Sequence, residues 1–450
     1  MKLTRRRFLA SMAAGFLEAG LGFPTIARAA LQGNPESDPP VGGRDERAAK
    51  AVSANEKIVV AHIGMGGMGT GHLRWFASFP DVETAAVCDV DSARVDAALA
   101  RLKEIRPETR AVGEADFRRL LDRDDIDVIT YATPDHWHAL IAILSFQAGK
   151  HVYGEKPMCY DVAEGQAMLK ACRRYGRVFQ LGTQIHAGEN YHRVVELVRS
   201  GVLGKINTVR LWKVGGEIAC GFPPDTDPPP TLDWDMWLGP APERRYNPAI
   251  TPFNFRYFWD YSSGMFGDFW CHAADLPFWA LDLGAPLAVS ATGADPLDDL
   301  LTTPGFMDAE FEFPHLKMYW HSRAPDVRGA EGRGLGIQFT GARGELVADY
   351  DRRTIFLDGN QYDDIPDVPR WLPRSPGHQR DFLDCAKSGK QPESSLSYAV
   401  RMSLPMHMAT IAYRLGRKVA WNAERGEFVN DDAANRMRHR PYRAPWYLPT

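Results

Sequence analysis

Apolar and polar positions follow one pattern up to about residue 180 and a different one after it. Between residues 57 and 180, short apolar runs typical of buried strands alternate with segments that have the apolar spacing of amphipathic helices, such as 94–102 and 139–148. This alternation predicts a parallel, doubly wound sheet with helices on both faces. The candidate strands are 59–63, 84–88, 128–132, 151–153 and 178–181.

After about residue 185, strand-like runs follow one another with little helical spacing between them. We therefore predict a second, α+β domain with a large, mostly antiparallel open sheet. A stretch rich in proline and aromatic residues, 221–252, is predicted to run over the surface as a loop. The candidate strands here are 206–214, 287–293, 309–313, 317–322, 335–340 and 344–350.

The first 55 residues show neither pattern. The run TRRRFL at 4–9 is a twin-arginine start, followed by a modestly apolar stretch and then the small-x-small cleavage pattern ARA at 27–29. We expect 1–29 to be a twin-arginine signal peptide and the mature protein to be periplasmic or otherwise exported. Glu18 inside the apolar stretch leaves a basic amphipathic helix as the alternative.

The predicted domain organisation follows from these patterns. Residues 30–55 are rich in Pro, Gly and charged residues without periodicity, so we expect a flexible arm. The doubly wound domain is predicted over 56–182 and the α+β domain over 183–450.

Composition narrows the classes of partner. The net charge of −4 shows no excess of basic residues, which argues against nucleic acid. No segment after the leader offers the ~20 consecutive apolar residues of a membrane span, so no anchor is expected after signal cleavage. The six cysteines form no C-x-x-C pair and are interpreted as buried thiols, with neither a disulfide framework nor a zinc site.

A G-x-G-x-x-G turn follows directly on the first apolar run. Its glycines allow a tight turn, close approach of a pyrophosphate and close packing of the next helix, whose N-terminus favours an anion. A second apolar run ends at Asp89, 20 positions after Gly69, where a dinucleotide site needs a ribose acceptor. The alternative is a structural turn without a ligand. The predicted cofactor residues here are Gly64, Gly66, Gly67, Met68, Gly69 and Asp89.

Two further strands end in residues that carry chemistry. Thr133 and Pro134 follow one strand, at the edge where open α/β sheets bind ligands, and the sequence DHWH at 135–138 lies at the same edge. Glu155 and Lys156 end another strand. The alternatives are a helix start with an exposed histidine pair and a surface ion pair.

Asp268, His272 and Asp275 have the spacing that places side chains on one face of a helix. An imidazole flanked by carboxylates is suited to general-base chemistry, because a carboxylate orients the ring and stabilises the imidazolium. Two alternatives are that Asp268 only caps the helix and that the three residues bind a divalent ion. No other group of ligands adjoins them in sequence, so no metal site is predicted.

In this order and spacing, the motifs GMGGMG, ATPDHWH, GEKP and D-x-x-x-H-x-x-D resemble the Gfo/Idh/MocA oxidoreductase family. From 56 to 450 the chain is most similar to the twin-arginine-exported bacterial members. The resemblance implies that Lys156 sits between nicotinamide and substrate, and that His272 and Asp268 form the acid/base dyad. It implies a cofactor lining of Thr133, Pro134, His138, Glu155 and Lys156, and substrate contacts from Trp137, Gln184, His186 and Asp275.

The resemblance also implies that 56–182 is a Rossmann NAD-binding domain and that 183–450 is the substrate and oligomerisation domain. It implies a carbohydrate or glycoside substrate and a homo-oligomer, either a dimer or a tetramer. Asp89 favours NAD over NADP because a carboxylate repels a 2′-phosphate. Free nicotinamide nucleotides are scarce outside the cytoplasm, so we expect NAD to be tightly bound.

Three functions are compatible with these residues. The first is an NAD-dependent oxidoreductase that takes hydride from a hydroxyl-bearing carbon of a sugar, glycoside or polyol. The second is an exported glycosidase that uses the same cofactor without net redox change. The third is a non-catalytic sugar-binding protein, against which the joint presence of Lys156, Asp268 and His272 argues.

Overall fold

The computed structural model describes residues 57–216, 218–296 and 298–449. The predicted signal peptide and arm lie outside the described residues. The first sheet has six parallel strands in the order β3-β2-β1-β4-β5-β6. Its strands are β1 (Ile58–Ile63), β2 (Val82–Cys88), β3 (Val112–Glu114), β4 (Val128–Tyr131), β5 (His151–Gly154) and β6 (Phe179–Leu181).

The order of these strands fixes where a ligand can bind. β1 pairs with β2 on one side and with β4 on the other. The strands after β1 are therefore added first on one side of it and then on the other, and the strand order reverses at β1. Open α/β sheets bind ligands outside the carboxyl ends of the strands at such a switch point. The helices of this part are α1 (Gly67–Ser78), α2 (Ser92–Ile105), α3 (Arg118–Leu121), α4 (His138–Gln147) and α5 (Val162–Tyr175).

The second sheet has ten strands in the order β14-β13-β12-β11-β7-β10-β9-β8-β15-β16. Its neighbours are antiparallel except for β10, which runs parallel to β7. Its strands are β7 (Ile206–Lys213), β8 (Ala288–Ala294), β9 (Phe306–Glu312), β10 (Lys317–His321), β11 (Leu335–Gly341), β12 (Gly344–Ala348), β13 (Arg353–Leu357), β14 (Asn360–Tyr362), β15 (Val419–Asn422) and β16 (Glu427–Phe428).

One face of this sheet is buried and the other is polar. In β10, Met318 and Trp320 are buried, whereas Lys317 and Tyr319 between and beside them are not. This alternation is what a sheet covered on one face produces. The helices of this part are α6 (Glu189–Arg199), α7 (Trp234–Leu238), α8 (Gly264–Leu281), α9 (His378–Ser388), α10 (Leu396–Leu415) and α11 (Asp432–Arg436). The predicted fold class is confirmed.

Helix α8 is the element that carries the predicted catalytic residues. It is apolar on almost every side and packs against α6, α10 and the second sheet. Trp270 is fully buried, and its indole N–H donates to the Met402 carbonyl. A helix buried all round holds its few polar residues in fixed positions.

The prediction of a surface loop over 221–252 describes 221–233, which is mostly exposed and lies outside the helices and strands, but it is wrong for the residues after it. There the chain forms α7, and its apolar residues build a small core around Trp237, Leu238, Ala241 and Ile250. Trp234 packs against both Trp237 and Tyr246, which no periodic pattern indicates. We refer to residues 218–260 as the insert.

Across the described ranges, none of the helices has the length and hydropathy that a membrane span requires. All six cysteines are free thiols. The described residues contain no group of three or more His, Cys, Asp or Glu side chains arranged to hold a metal ion.

Candidate active site

The glycine turn after β1 has a shape that side chains would prevent. Gly64 has a φ of +83°, and a Cβ there would lie 2.8 Å from the Ala132 carbonyl oxygen. A Cβ on Gly69 would lie 1.7 Å from the Gly64 carbonyl oxygen, so α1 could not pack as closely as it does. Both positions therefore require glycine.

The same turn leaves room and donors for an anion. Apart from neighbouring residues of the same helix, no described atom lies within 4 Å of where a Cβ on Gly67 would stand. Gly66 is the N-cap of α1 and makes no side-chain cap there. The backbone N–H groups of Gly67, Met68 and Gly69 are therefore available to an anionic ligand.

Thr133 supports the fit of a dinucleotide at this turn. Its methyl group lies 3.0 Å from where a Cβ on Gly64 would stand, so its side chain borders the turn. Its hydroxyl oxygen is buried and has no hydrogen-bond partner within the described chain. Such an orphan is costly unless a ligand satisfies it. Pro134 follows at the same strand end, where it precedes a short 3₁₀ turn.

Asp89 holds the glycine turn in place. One carboxylate oxygen accepts the Met65 N–H at 2.6 Å, and the other accepts the Asp91 N–H at 3.0 Å. Burial raises the pKa of Asp89. Each carboxylate oxygen has a second lone-pair site, so the predicted ribose contact is compatible with these bonds.

Lys156 and Asp268 join the first sheet to helix α8 at the predicted site. The Lys156 ammonium donates to a carboxylate oxygen of Asp268 at 2.7 Å and to its main-chain oxygen at 3.1 Å. Arg256 Nε lies 3.4 Å from the same carboxylate oxygen. The carboxyl end of β5 and the first turns of α8 therefore meet at one point.

The charge states of Lys156 and Asp268 are set by each other and by Arg256. Burial acts to raise the pKa of Asp268, but the Lys156 and Arg256 cations outweigh it and hold that pKa well below its usual range. Burial acts to lower the pKa of Lys156, and the Asp268 carboxylate outweighs it, so that pKa is raised. Both groups are therefore charged at neutral pH.

His272 is oriented by a different residue from the one expected. Its Nδ1 lies 2.6 Å from the hydroxyl of Tyr350, which follows β12. Asp268 shares the helix face, as predicted, but it pairs with Lys156 and not with the imidazole. Burial, together with the nearby Lys156 cation, lowers the pKa of His272 to about 4. The ring is therefore neutral at pH 7.

Asp275 does not face the open site, which corrects the substrate contact expected of it. Its side chain is 0% exposed. It accepts hydrogen bonds from the Thr183 hydroxyl at 2.7 Å, from His186 Nε2 at 2.8 Å and from the Tyr398 hydroxyl at 2.5 Å. Through these hydrogen bonds the Asp275 carboxylate holds together the buried residues behind the site.

His186, also expected to touch substrate, belongs to this buried group. Its ring stacks on Trp279 at 4.2 Å, and its Nδ1 lies 3.0 Å from a Glu393 oxygen. Burial acts to lower the pKa of His186, but Asp275 and Glu393 outweigh it and raise the pKa to about 9. Gln184, two residues earlier, is half-buried, and its side-chain amide donates to the Gly182 carbonyl at 2.9 Å, so its expected substrate contact stays a prediction.

Glu155 and His138 hold the cofactor edge together through protein partners, and the cofactor contact expected of each stays a prediction. A Glu155 oxygen lies 2.9 Å from His72 Nε2, which ties the end of β5 to α1. The two ring nitrogens of His138 lie 2.6 Å from the Pro157 carbonyl oxygen and 2.9 Å from that of Thr133. Both side chains are buried, so their polar atoms are committed to protein partners.

Trp137, the fourth expected substrate contact, is 5% exposed and packs away from the site. Its indole N–H donates to the Trp237 carbonyl at 3.0 Å, and its ring meets that of Trp446 edge-on at 4.8 Å. It therefore anchors the insert and the chain's last segment to the first sheet.

Two residues of the site were missed from the sequence. Tyr350 lies in a turn far along the chain from His272, and no spacing rule pairs them. The guanidinium of Arg256 lies over the rings of Phe253 and Phe255, 4.4 and 4.6 Å from their centres. The one sequence signal for Arg256 was that it is a cation next to a run of aromatic residues.

Two family models match the chain. The model for the oxidoreductase family's NAD-binding Rossmann fold matches residues 58–183. The model for the oxidoreductase family's C-terminal alpha/beta domain matches residues 190–296 and 351–448.

Curated relatives match over part of the chain. An alpha-N-acetylgalactosaminidase of Shewanella oneidensis is 31% identical over 206 residues, which cover 45% of this chain and 44% of the relative. A glycosyl hydrolase family 109 protein of Shewanella pealeana is 30% identical over 212 residues, with 46% and 45% covered. The chain thus spans less than half the length of these curated relatives.

Solved structures share the fold over most of the chain. The WlbA dehydrogenase from Bordetella pertussis, in complex with NADH and UDP-GlcNAcA, is 19% identical with a TM-score of 0.59, covering 82% of this chain and 98% of that one. Levoglucosan dehydrogenase, in complex with NADH and levoglucosan, is 20% identical with a TM-score of 0.58, covering 81% and 99%. The family models, with this shared fold, show that the chain belongs to the Gfo/Idh/MocA oxidoreductase family and carries its NAD-binding Rossmann domain.

Proposed function

We propose that the protein is an NAD-dependent oxidoreductase that acts on a hydroxyl of a sugar, glycoside or polyol. The contact between Lys156 and Asp268 carries the proposal, because it brings α8 to the edge of the first sheet where the glycine turn lies. A charged lysine and a neutral histidine then share the site with the nucleotide-binding turn.

The proposed chemistry divides between these two side chains. His272 takes the proton of the substrate hydroxyl, and Lys156 stabilises the negative charge that develops on the oxygen. For His272 Nε2 to accept that proton, Nδ1 must carry the ring hydrogen and donate it to the Tyr350 oxygen. When bound, the nicotinamide supplies the hydride acceptor. Asp268 keeps Lys156 charged and in position.

The cellular location, the choice of NAD over NADP and the oligomeric state of the protein are part of the same proposal. The TRRRFL start supports export by the twin-arginine route, which carries folded proteins and so allows NAD to be loaded beforehand. Asp89 beside the glycine turn supports NAD over NADP. We also propose a homo-oligomer, a dimer or a tetramer, without a membrane anchor after the signal peptide is removed.

A redox-neutral glycosidase is the second candidate. The curated relatives from Shewanella are named as an alpha-N-acetylgalactosaminidase and a glycosyl hydrolase family 109 protein, and this favours the candidate. In that reaction a hydroxyl is oxidised transiently, which acidifies a neighbouring ring proton. Elimination then releases the aglycone, water adds, and hydride returns to the sugar. The same side chains serve both reactions.

The deciding experiment identifies products and bound nucleotide together. The purified chain is incubated with a panel of sugars and glycosides, and products are analysed by mass spectrometry. A product lighter by two hydrogen atoms supports the oxidoreductase, and free sugar with unchanged NAD supports the glycosidase. If neither product forms while sugars still bind to the NAD-loaded protein, the non-catalytic sugar-binding function replaces both.

A further inference from the structure

The insert is joined by its backbone to the end of β2, next to Asp89. The Ser92 N–H donates to the Thr231 carbonyl at 2.9 Å, and the Asp233 N–H donates to the Val90 carbonyl at 2.9 Å. Together these bonds form a short antiparallel bridge between the two segments. The residues after β2 are where a dinucleotide's adenosine ribose is recognised in this type of sheet.

The insert is anchored again a few residues later, at the end of β4. The Trp237 carbonyl oxygen lies 3.0 Å from the indole nitrogen of Trp137 and 3.0 Å from Nε2 of His136. Trp237 is buried, and its ring packs at 5.4 Å from the His136 ring. This second anchor therefore fixes the far end of α7.

The strand order places the glycine turn between these two anchors. β1 lies between β2 and β4 in the sheet. A segment attached beyond the ends of both β2 and β4 therefore crosses in front of the end of β1. Two strand spacings amount to about 10 Å. Helix α7 alone spans about 7.5 Å, but the segment from Thr231 to Trp237, extended up to Asp233 and helical after it, spans about 12 Å and is long enough to make that crossing.

The crossing leaves space at the turn itself. Apart from neighbouring residues of its own helix, nothing described lies within 4 Å of where a Cβ on Gly67 would stand, so the crossing segment does not fill the turn. A dinucleotide in such a sheet runs across the same edge, over the glycine turn. The insert therefore follows the course that the ligand takes.

The insert is also held from its outer side. Arg443, near the end of the chain, donates to the Gly239 carbonyl at 3.0 Å and pairs with Asp235 at 2.6 Å. Trp234 stacks on Trp237 at 4.7 Å, so the short helix has its own packed support. These contacts make the segment a fixed wall.

We propose that residues 229–238 form the outer wall of the nucleotide site, so that NAD stays bound through many turnovers. A sugar hydroxyl reduces the bound NAD, and a sugar carbonyl, of a second sugar or of the oxidised intermediate itself, takes the hydride back in place. The proposal rests on the NAD-dependent function above and extends it. It assigns to the second domain a part of the nucleotide site that the glycine motif does not contain. Release of NAD then requires the bonds at Val90 and Ser92 to open.

Ser92 offers a variant that removes one of these bonds with a matched control. Ser92 is the first residue of α2, a position that tolerates proline because its N–H has no partner inside the helix. Ser92→Pro deletes the donor to Thr231, and Ser92→Ala keeps it. We expect S92P to release NAD about two- to tenfold faster than S92A, the effect of losing one backbone hydrogen bond.

The measurement uses the full chain loaded with radiolabelled NAD and chased with unlabelled NAD. Hydrogen exchange of the 229–238 amides is measured on the wild-type chain in parallel, and we expect it to slow when NAD is bound. The exchange result decides the matter if S92P does not fold. Equal release from S92P and S92A in folded protein overturns the proposal, as does exchange that ignores NAD. A chain that binds no nucleotide overturns the proposed function as well.

Discussion

The hydroxyl of Tyr350 lies 2.6 Å from Nδ1 of His272, although 78 residues separate them in sequence. Tyr350 belongs to the turn between β12 and β13, so the second sheet orients a ring carried by α8. The bond fixes which ring nitrogen remains for the substrate.

We expect Tyr350→Phe to lower kcat by about two- to tenfold, because the aromatic ring stays while the bond that orients His272 is lost. His272→Ala should lower kcat by about 10²–10⁴-fold, since the general base itself is removed. Steady-state kinetics with a confirmed substrate measure both. Unchanged turnover in H272A would remove His272 from the mechanism.

Asp268→Asn should destabilise the fold by about 3–5 kcal/mol, because it leaves the buried Lys156 ammonium without its counter-ion. The control is Asp282→Asn, which breaks an exposed pair with Arg401 and should change stability by about 0.5 kcal/mol or less. Denaturant unfolding measures both variants. Equal stability of the two would contradict the importance assigned to the buried pair.

The buried His186 predicts how stability depends on pH. Its pKa is raised to about 9 from 6.5, so its contribution is fully present below about pH 6.5 and is lost as pH rises through 9. We expect the difference in unfolding free energy between wild type and His186→Gln to shrink over that range. Unfolding at pH 6, 8 and 10 gives the difference, and a constant value would show that the imidazole is not charged.

Gly69→Ala should abolish the fold of the first domain, because its Cβ would lie 1.7 Å from the Gly64 carbonyl oxygen. Gly67→Ala places a methyl group in open space and should fold as wild type does. Soluble yield and Tm compare them. Folded G69A with a normal Tm would show that α1 can shift from the turn.

The predicted twin-arginine export depends on Arg5 and Arg6 but not on the neighbouring Arg7. Replacing both Arg5 and Arg6 with Lys should block export, since the twin-arginine route reads that pair. Arg7→Lys keeps the pair and serves as the control. Cell fractionation measures the exported share, and export of the double variant would point to another route.

The fold class and the glycine turn could be predicted from the sequence, because strand and helix periodicity and glycine geometry depend on residues that are close together in the chain. The direction of polar side chains could not be predicted in the same way. Asp275 and Glu155 lie close to the site as expected, but Tyr398 and His72 draw them into the interior. These partners come from distant parts of the chain, so spacing alone could not reveal them.

The Lys156–Asp268 pair has a consequence for protein engineering. The two residues are 112 positions apart, and Lys156 follows β5 whereas Asp268 lies on α8, yet each is the other's counter-ion. A chimera that joins the first half of this chain to the second half of a relative places Lys156 against the corresponding helix of the relative, where the position of its counter-ion is no longer the one in this chain. Recombination to change substrate preference should therefore move the end of β5 and the start of α8 as one unit.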